Sequence, residues 1–469
     1  MKGHVPTPQP VVDRMVAKLF SSRRPAPTDT LLDPGAGDGI FAQSVLRWCD
    51  GEGLRPPHVL VVELNPALAA EATHTLSVHK NVKVLVGDFL RVALPKVDFV
   101  IGNPPYVPID GLTPEERATY RGRFVTAVER FDLYLLFFER ALKLLKPGGR
   151  LCFITPEKFE YVHTATPLRK LLAKYLVEEI EHVNEGTFPG LVTYPAITTL
   201  TNRSPSHDQE TVVSFRDGTH QSIRLPRDGS SWNPALHGLD SPSRGAHTLE
   251  ELCVRISCGV ATGADSLYVH YANALPPSLL KFTYPTVSGR QLGLHGPDEF
   301  ESSSVMLVPY DSNGRLLRED RLGELSKFLS RPDITRHLKE RSCVVEGRRE
   351  WYRFHDNVPL PDILQPKILC KDITSEPHFW ADEDGRFVPR HTVYYLVPRD
   401  GVNFQGLLSY LNSEGAVKWL KGSCQRAANG FYRVQSATLK QLPISKEVFD
   451  RLRPTHGEYR QQATLASYA

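Results

Sequence analysis

Asn103-Pro104-Pro105-Tyr106 ends the apolar run Val97-Asp98-Phe99-Val100-Ile101-Gly102. The run is short, β-branched and aromatic, which predicts a buried strand. Neither proline has a backbone N–H, and a proline biases the residue before it to extended geometry, so the ladder must stop there. An amide, two stiff carbonyls and an aromatic ring are therefore expected at the carboxyl end of a strand, where open α/β sheets bind ligands. The Asn103 side-chain oxygen and a proline carbonyl can each accept one hydrogen of an exocyclic amino group. The Tyr106 ring can stack on the base that carries that group. A plain Pro-Pro turn is the structural alternative.

Other strand ends in the first two hundred residues carry polar groups of the same kind. Thr30-Leu31-Leu32-Asp33 runs into Pro34-Gly35-Ala36-Gly37-Asp38-Gly39, and 40–48 has helical periodicity. Val59-Leu60-Val61-Val62-Glu63 is the next expected strand, 66–77 a helix, and 82–86 a strand ending in Gly87-Asp88-Phe89. A helix over 131–145 is closed by Lys146-Pro147-Gly148-Gly149, and 150–155 is a fifth strand. Alternation of this kind predicts a doubly wound parallel sheet.

The segment Gly37-Asp38-Gly39-Ile40-Phe41-Ala42 satisfies G-x-G-x-x-A, and Glu63 follows at a strand end, so a dinucleotide site is one reading. The glycines themselves show only that something approaches the backbone at a helix start. Glu63 can hold any ribose by its two hydroxyls, and Asp88 can accept from an adenine amino group. Together these describe an adenosine site. Either acid alone reads equally as a solvated strand-end carboxylate.

The Gly-rich turn followed by Asn103-Pro104-Pro105-Tyr106 resembles the S-adenosylmethionine-dependent amino methyltransferases. The order of further parts is similar to that of the gamma-class (Taq-type) N6-adenine DNA methyltransferases. These parts are Thr7-Pro8-Gln9-Pro10 before the turn, Asp132-Leu133-Tyr134 opening the later helix, and Gly186-Thr187-Phe188-Pro189-Gly190 before the strand at 196–200. The resemblance spans residues 4–202. It implies S-adenosylmethionine held by Thr7, Pro8, Asp33, Pro34, Gly35, Gly37, Glu63, Asp88, Phe89 and Asn103. It implies a catalytic set of Asn103, Pro104, Pro105, Tyr106 and Phe188, with Phe188 stacking on a flipped adenine. Phe137 and Phe138, on an amphipathic helix, read as core.

The chemistry that this family performs makes sense of such a set. An adenine amino nitrogen is conjugated to its ring and is a poor nucleophile. Hydrogen bonds from both its protons to Asn103 Oδ1 and the Pro104 carbonyl would favour a pyramidal nitrogen with a free lone pair. No strong base is needed, and no metal-ligand cluster is read from the sequence. A base stacked inside duplex DNA cannot reach such a site and must be flipped out.

Residues 203–247 are polar, with one expected strand at 211–215 and then a linker. From Leu249 short strands dominate, at 305–308, 367–371 and 392–397. Cys258 to Val269, Leu407 to Ser413, Asn429-Gly430-Phe431-Tyr432 and Leu442-Pro443-Ile444 resemble the target-recognition domain of Taq-type enzymes, though more loosely. Residues 415–440 carry five Lys/Arg and no acid, interleaved with Trp419, Phe431 and Tyr432, and 331–353 carry seven Lys/Arg against four Asp/Glu. Basic side chains bind phosphates and aromatic rings stack on bases, so Lys418, Lys421, Arg426 and Arg433 are the expected DNA contacts; a merely solvated face is the alternative.

The expected fold class is therefore α/β: a doubly wound Rossmann-like methyltransferase domain over 1–245, a mixed, strand-rich target-recognition domain over 246–455, and a polar tail at 456–469. The 469 residues, 41% hydrophobic, suffice for such cores, while the net charge of +3 requires any nucleic-acid footprint to be local. Seven scattered cysteines without a Cys-x-x-Cys pair fit a reduced cytoplasmic protein, and no apolar stretch approaches membrane-spanning length. The expected activity is site-specific adenine-N6 methylation of double-stranded DNA, as the modification enzyme of a restriction-modification or phage-defence system with a separately encoded endonuclease. A glutamine or RNA-base methyltransferase, or a subunit needing a partner, are the alternatives. A fused nuclease is not expected, since nothing resembling one precedes His4. In addition, Pro361-Asp362 is followed by Gln365-Pro366-Lys367, with Gln365 where the nuclease pattern needs an acid.

Overall fold

The computed structural model describes residues 5–188, 193–239, 247–296, 299–345, 347, 350–427 and 430–453. His4, Pro189, Gly190, Asn429, the expected junction at 245/246 and the expected tail at 456–469 lie outside the described residues. The chain forms two compact units, Met1–Leu239 and Asp240–Ala469.

The first unit begins with α1 (Gln9–Phe20), β1 (Thr30–Pro34), α2 (Ile40–Gly51), β2 (His58–Glu63), α3 (Pro66–Leu76), β3 (Val82–Val86) and β4 (Val97–Gly102). It continues with α4 (Pro114–Arg123), α5 (Leu133–Leu144), β5 (Leu145–Pro156), α6 (Thr166–Leu172), β6 (Leu176–His182), β7 (Pro195–Thr201), β8 (Thr211–Ser214) and β9 (His220–Ile223). The nine strands make one sheet in the order β3-β2-β1-β4-β5-β7-β6-β8-β9.

From β3 to β5 neighbouring strands pair in parallel. The all-parallel expectation fails beyond β5. There β7 inserts antiparallel between β5 and β6, and β9 is antiparallel to β8. The short β-branched run at 195–201 specifies a buried strand, but nothing in its local pattern specifies its direction.

The central strands are buried on both faces, as parallel sheets are. Leu31, Phe99, Ile101 and Cys152 pack on the side of α1 and α2, and Leu32, Val100, Leu151 and Phe153 on the side of α5 and α6. Local chemistry sets the helix starts at the sheet's carboxyl edge. Asn65 accepts from the N–H groups of Ala67 and Leu68 with Pro66 at the first helical position, and Thr113 and Glu116 form a reciprocal capping box.

The second unit is built from small sheets. The strands Cys253–Cys258, Val393–Pro398, Lys367–Lys371 and Phe379–Asp382 form an antiparallel four-stranded sheet in that order. A second sheet joins Val269–Tyr271, Ser304–Leu307, Thr283–Val287 and Val388–Pro389, and a third joins Ile373–Thr374, Tyr432–Arg433 and Gln425–Arg426. Their core includes Tyr268, Phe354, Trp380 and Tyr395. Lys367, fully buried, pairs with Asp382, while Asp362 pairs with Arg255, so the residues of the degenerate nuclease pattern serve structural ion pairs. Among the described residues no helix is long and apolar enough to cross a membrane, and no cluster of three or more potential metal ligands occurs.

Candidate functional site

At the carboxyl ends of β1, β2, β3 and β4 lies a cavity of about 560 Å³. Thr7, Gly35, Gly37, Glu63, Asp88, Phe89, Asn103 and Pro105 line it; Pro8, Asp33, Pro34, Pro104, Tyr106 and Phe188 do not.

The glycine turn is held open by Glu63. Its Oε2 accepts from Gly37 N at 2.8 Å and its Oε1 from Asn65 N at 2.7 Å, so the end of β2 fixes the loop after β1. Gly35 N and Ala36 N both donate to Val62 O. Gly37 and Gly39 adopt φ of +59° and +85°, a region that favours glycine. A Cβ on Gly39 would lie 3.1 Å from Leu76 Cδ1 and 3.3 Å from Ala72 Cβ, so the turn also lets α2 pack close on α3. Glu63 keeps one lone pair on each oxygen for a diol.

Asp88 is more engaged. Its Oδ1 accepts from Leu90 N at 2.8 Å, while Oδ2 accepts from Tyr120 Oη at 3.4 Å and lies 3.3 Å from Arg91 Nε. Burial, reinforced by the Asp88 charge, pushes the Tyr120 phenol up to about 12, so the tyrosine stays a donor.

Asn103 is held by the amino-terminal segment. Its Nδ2 donates to Val5 O at 3.1 Å and to Thr7 Oγ1 at 3.0 Å. A backbone carbonyl only accepts, so the atom facing Val5 must be the amide nitrogen. The Asn103 Oδ1 is therefore the other end of the amide; it is buried and has no hydrogen-bond partner among the described residues. Asp33, fully buried behind the turn, likewise makes no well-formed hydrogen bond among the described residues, with the Ala42 backbone N–H as its nearest stabilising donor. Burial pushes its carboxyl well above the ordinary range, against the pull of the Ala42 backbone N–H, and Glu63 and Asp38 push it the same way.

Pro104 is buried beside Asn103. Tyr106 is half-buried; its hydroxyl lies 3.5 Å from Ile154 O, its ring meets Tyr134 edge-on at 6.4 Å, and burial raises its phenol. Phe188 is 3% exposed and packs with the cluster of Val183, Ile154 and Ile197, so in this conformation its ring is not open to a base. Sequence reading missed Tyr120, Val107 and Leu112, which line the cavity from the segment between β4 and α5, and Phe137, expected only as core. The Phe137 ring is 3.4 Å from where a Gly35 Cβ would stand, so it is both core and cavity wall.

In the second unit Lys418 and Arg433 are exposed. Lys421 pairs with Glu376 at 2.7 Å, and the Arg426 guanidinium lies 5.5 Å from the Tyr432 ring centre. Arg426 and Arg433 share the three-stranded sheet, and Lys418 and Lys421 lie on the helix Glu414–Ser423 before it. Trp419, expected among the exposed aromatics, is 9% exposed and faces inward; Phe431 is 38% exposed.

The family model described as Eco57I restriction-modification methylase matches residues 75–188, and the TaqI-like C-terminal specificity domain matches 324–444. The ribosomal RNA adenine dimethylase model matches 7–115. The Type II methyltransferase M.PaeR7I of Pseudomonas aeruginosa is 27% identical over 483 residues, covering 93% of this chain and 78% of that protein. The Type II methyltransferase M.XhoI of Xanthomonas vasicola is 27% identical over 397 residues, covering 76% and 70%. Among solved structures, the Type IIL restriction-modification enzyme MmeI, in complex with DNA, superposes with a TM-score of 0.59 at 13% identity. That match covers 93% of this chain and 63% of MmeI, and shows a shared fold. The Eco57I-type match in the first unit, the TaqI-like match in the second and relatives aligned across both units agree: the chain is similar to the Type II restriction-modification methylases with a TaqI-like C-terminal specificity domain.

Proposed function

We propose that this protein methylates the N6 amino group of a specific adenine in double-stranded DNA, using S-adenosylmethionine, as the modification enzyme of a restriction-modification system. The observation that carries the reading is the orientation of Asn103. Val5 O and Thr7 Oγ1 engage its amide N–H groups, so what it offers a ligand is a buried, unpartnered acceptor. An exocyclic amino group is the donor that such an acceptor requires, and a buried acceptor left unpaired costs about 1–3 kcal/mol.

The residues present fit the cofactor. Glu63 holds the ribose hydroxyls, Asp88 and the Phe89 backbone meet the adenine, and Gly35 and Gly37 leave room for the chain between them. Thr7 and Pro8 close the segment over it, with Asp33 and Pro34 fixing the turn from behind. When bound, S-adenosylmethionine supplies a methyl group already activated on a sulfonium. Asn103 Oδ1 and the Pro104 carbonyl accept the two amino protons of the target adenine and favour a pyramidal nitrogen. Pro105 stiffens that loop. Tyr106 and, after a rearrangement that exposes it, Phe188 stack on the flipped base. Arg150–Glu178 and the other ion pairs on the sheet are structural and move no proton in this scheme.

Residues 1–245 form the catalytic part in this reading and 246–455 the target-recognition part, with Lys418, Lys421, Arg426 and Arg433 on DNA phosphates. The enzyme works on chromosomal DNA in the cytoplasm of a bacterial or archaeal cell, beside a separately encoded endonuclease. The match of residues 7–115 to the ribosomal RNA adenine dimethylases favours an RNA base as the second reading.

The test is mass spectrometry of nucleosides after the full chain is incubated with S-adenosylmethionine and either plasmid DNA or ribosomal RNA. N6-methyladenine in the DNA supports the proposal. N4-methylcytosine, or methylation confined to the RNA, overturns it. Sites so methylated should resist a cognate endonuclease.

A further inference from the structure

The second unit holds a cleft of about 550 Å³ whose walls come from four separate chain segments. Asp265 stands on one, Arg290 on a second, Lys371 and Asp372 at the end of the strand Lys367–Lys371 on a third, and Arg390 and His391 just before the strand Val393–Pro398 on a fourth. The walls are tied to one another through Thr392. Gly289 N donates to Thr392 Oγ1 at 3.0 Å, and Asp372 N donates to Thr392 O at 3.0 Å. Arg390 N donates to Val287 O at 2.9 Å and His391 N to Val260 O at 3.0 Å. A Cβ on Gly289 would stand 2.9 Å from Thr392 O, so that approach needs glycine. The cleft is thus a preformed shape on rigid elements.

Its polar groups are incompletely used. Arg290 is exposed and makes no ion pair or hydrogen bond among the described residues. The Arg390 Nε is buried without a partner among the described residues, while Nη2 donates to Gln291 Oε1 at 3.0 Å. Asp265 Oδ1 accepts from Thr262 Oγ1, and among the described residues the ion-pair partners of the two carboxylates are distant: Asp265 Oδ2 is 3.9 Å from His391 Nδ1, and Asp372 Oδ1 is 4.0 Å from Arg433 Nε.

We infer that this cleft reads the major-groove edge of a G·C base pair within the target sequence, with Arg290 and Arg390 as donors and Asp372 as acceptor. This rests on the reading of the protein as a DNA enzyme. The mixture of charges selects the ligand class. A phosphate site would be cationic throughout, and Asp265 and Asp372 would repel a phosphate at such distances. Guanine presents N7 and O6, both acceptors that suit an arginine fork, and its partner cytosine presents an N4 donor that suits a carboxylate.

The neighbourhood agrees with this division of labour. Val434 N donates to Asp372 O at 2.7 Å, so the strand carrying Arg433, beside that of Arg426, abuts the cleft. Phosphate contacts on that sheet would set the register while the cleft specifies the base pair.

The experiment is selection of bound duplexes from a randomised pool by the full chain, followed by sequencing, with methyl transfer measured separately. The wild-type chain should enrich a sequence containing a fixed G·C pair. Arg290→Ala should relax that one position by about tenfold, and the nearly isosteric Asp372→Asn should relax the same position. Arg290 is exposed and unpaired among the described residues, so its removal should leave the fold in place. Unchanged selectivity in both variants overturns the inference. So does a uniform loss of binding across all sequences with a shallower salt dependence, which is the mark of a phosphate contact. A wild-type chain that binds duplexes without sequence preference overturns it as well. Selective binding without methylation of DNA leaves the cleft as assigned and overturns the proposed reaction instead.

Discussion

The Asn103 side-chain amide donates to Thr7 Oγ1 at 3.0 Å, joining two residues 96 positions apart in sequence. The segment before α1 thereby fixes the orientation of the Asn103 amide at the cavity wall. Thr7→Val removes one of two acceptors and lets the amide rotate. One hydrogen bond is worth about 0.5–1.5 kcal/mol, so the single-turnover rate at saturating cofactor should fall by about two- to tenfold, and Thr7→Ser should restore it. A rate like the wild type's in the valine variant would remove Thr7 from the positioning of Asn103.

Asn103→Ala removes the acceptor itself. If Asn103 Oδ1 acts in the transition state, the rate should fall by about 10²–10³-fold while cofactor affinity, read by calorimetry, stays near normal. Unchanged turnover would sink the assigned role. Lost cofactor binding would shift it to the other side of the cavity.

These features differ in how readable they are in the sequence. The Gly35–Gly39 turn, Glu63, Asp88 and the tetrad at 103–106 are legible because each sits at the end of a local apolar run, and strand ends need only local pattern. Tyr120 and Leu112 are not legible as cavity residues. They stand on an excursion between β4 and α5 whose path depends on Tyr120 reaching Asp88 across 32 positions. Phe137 hides because a cavity wall and a core face ask for the same residue. The insertion of β7 is equally silent, since strand direction is decided by pairing with β5 and β6. The basic stretch 415–440 was legible as charge, but not that Trp419 would turn inward.

Asp33 is buried without a well-formed hydrogen bond on either carboxylate oxygen among the described residues, and burial, against the pull of the Ala42 N–H, raises its pKa well above the ordinary value of about 3.9. A raised folded value means that its contribution to stability is fully present below the unfolded value and is lost as pH rises through the folded one. The ligand-free protein should therefore lose stability from about pH 4 upward. Asp33→Asn removes that charge and should raise the thermal midpoint at neutral pH while weakening S-adenosylmethionine binding. Thermal scans across pH with and without cofactor check both arms; a midpoint lowered at neutral pH would show that the carboxylate is compensated in the fold.

Lys421 is engaged with Glu376, but both partners are solvent-facing, and such pairs are worth about 0–1 kcal/mol, so a phosphate can displace the glutamate. Alanine at Lys418, Lys421, Arg426 or Arg433 should each weaken duplex binding evenly across sequences and lower the slope of log K against log salt by about one. Arg426→Ala should cost additional affinity through the Tyr432 ring that it covers. A salt slope unchanged in the quadruple variant would take this face out of the interface.

His182, at the end of β6, is a further buried titratable group with a directed pH effect. Its Nε2 lies 2.9 Å from Glu160 Oε2 and 3.9 Å from Glu157 Oε2, and Arg216 Nη2 holds Glu157 at 2.6 Å. Burial favours the neutral ring, felt most at the unpartnered Nδ1, yet the carboxylates of Glu160 and Glu157 outweigh it and hold the imidazole above its ordinary value. A raised histidine stabilises the fold fully below about pH 6.5 and loses that contribution as pH rises through the folded value. Glu157 is raised as well, by burial first and then by Glu160, so its contribution falls in the same direction but from about pH 4 upward. His182 adds a further decline that begins above about pH 6.5. Chemical denaturation of the full chain from about pH 5.5 to about pH 9 should show it, and His182→Gln should flatten the curve above about pH 6.5 while lowering stability below it. If the variant keeps the wild-type slope there, the pair with Glu160 is not what sets the alkaline limit of this unit.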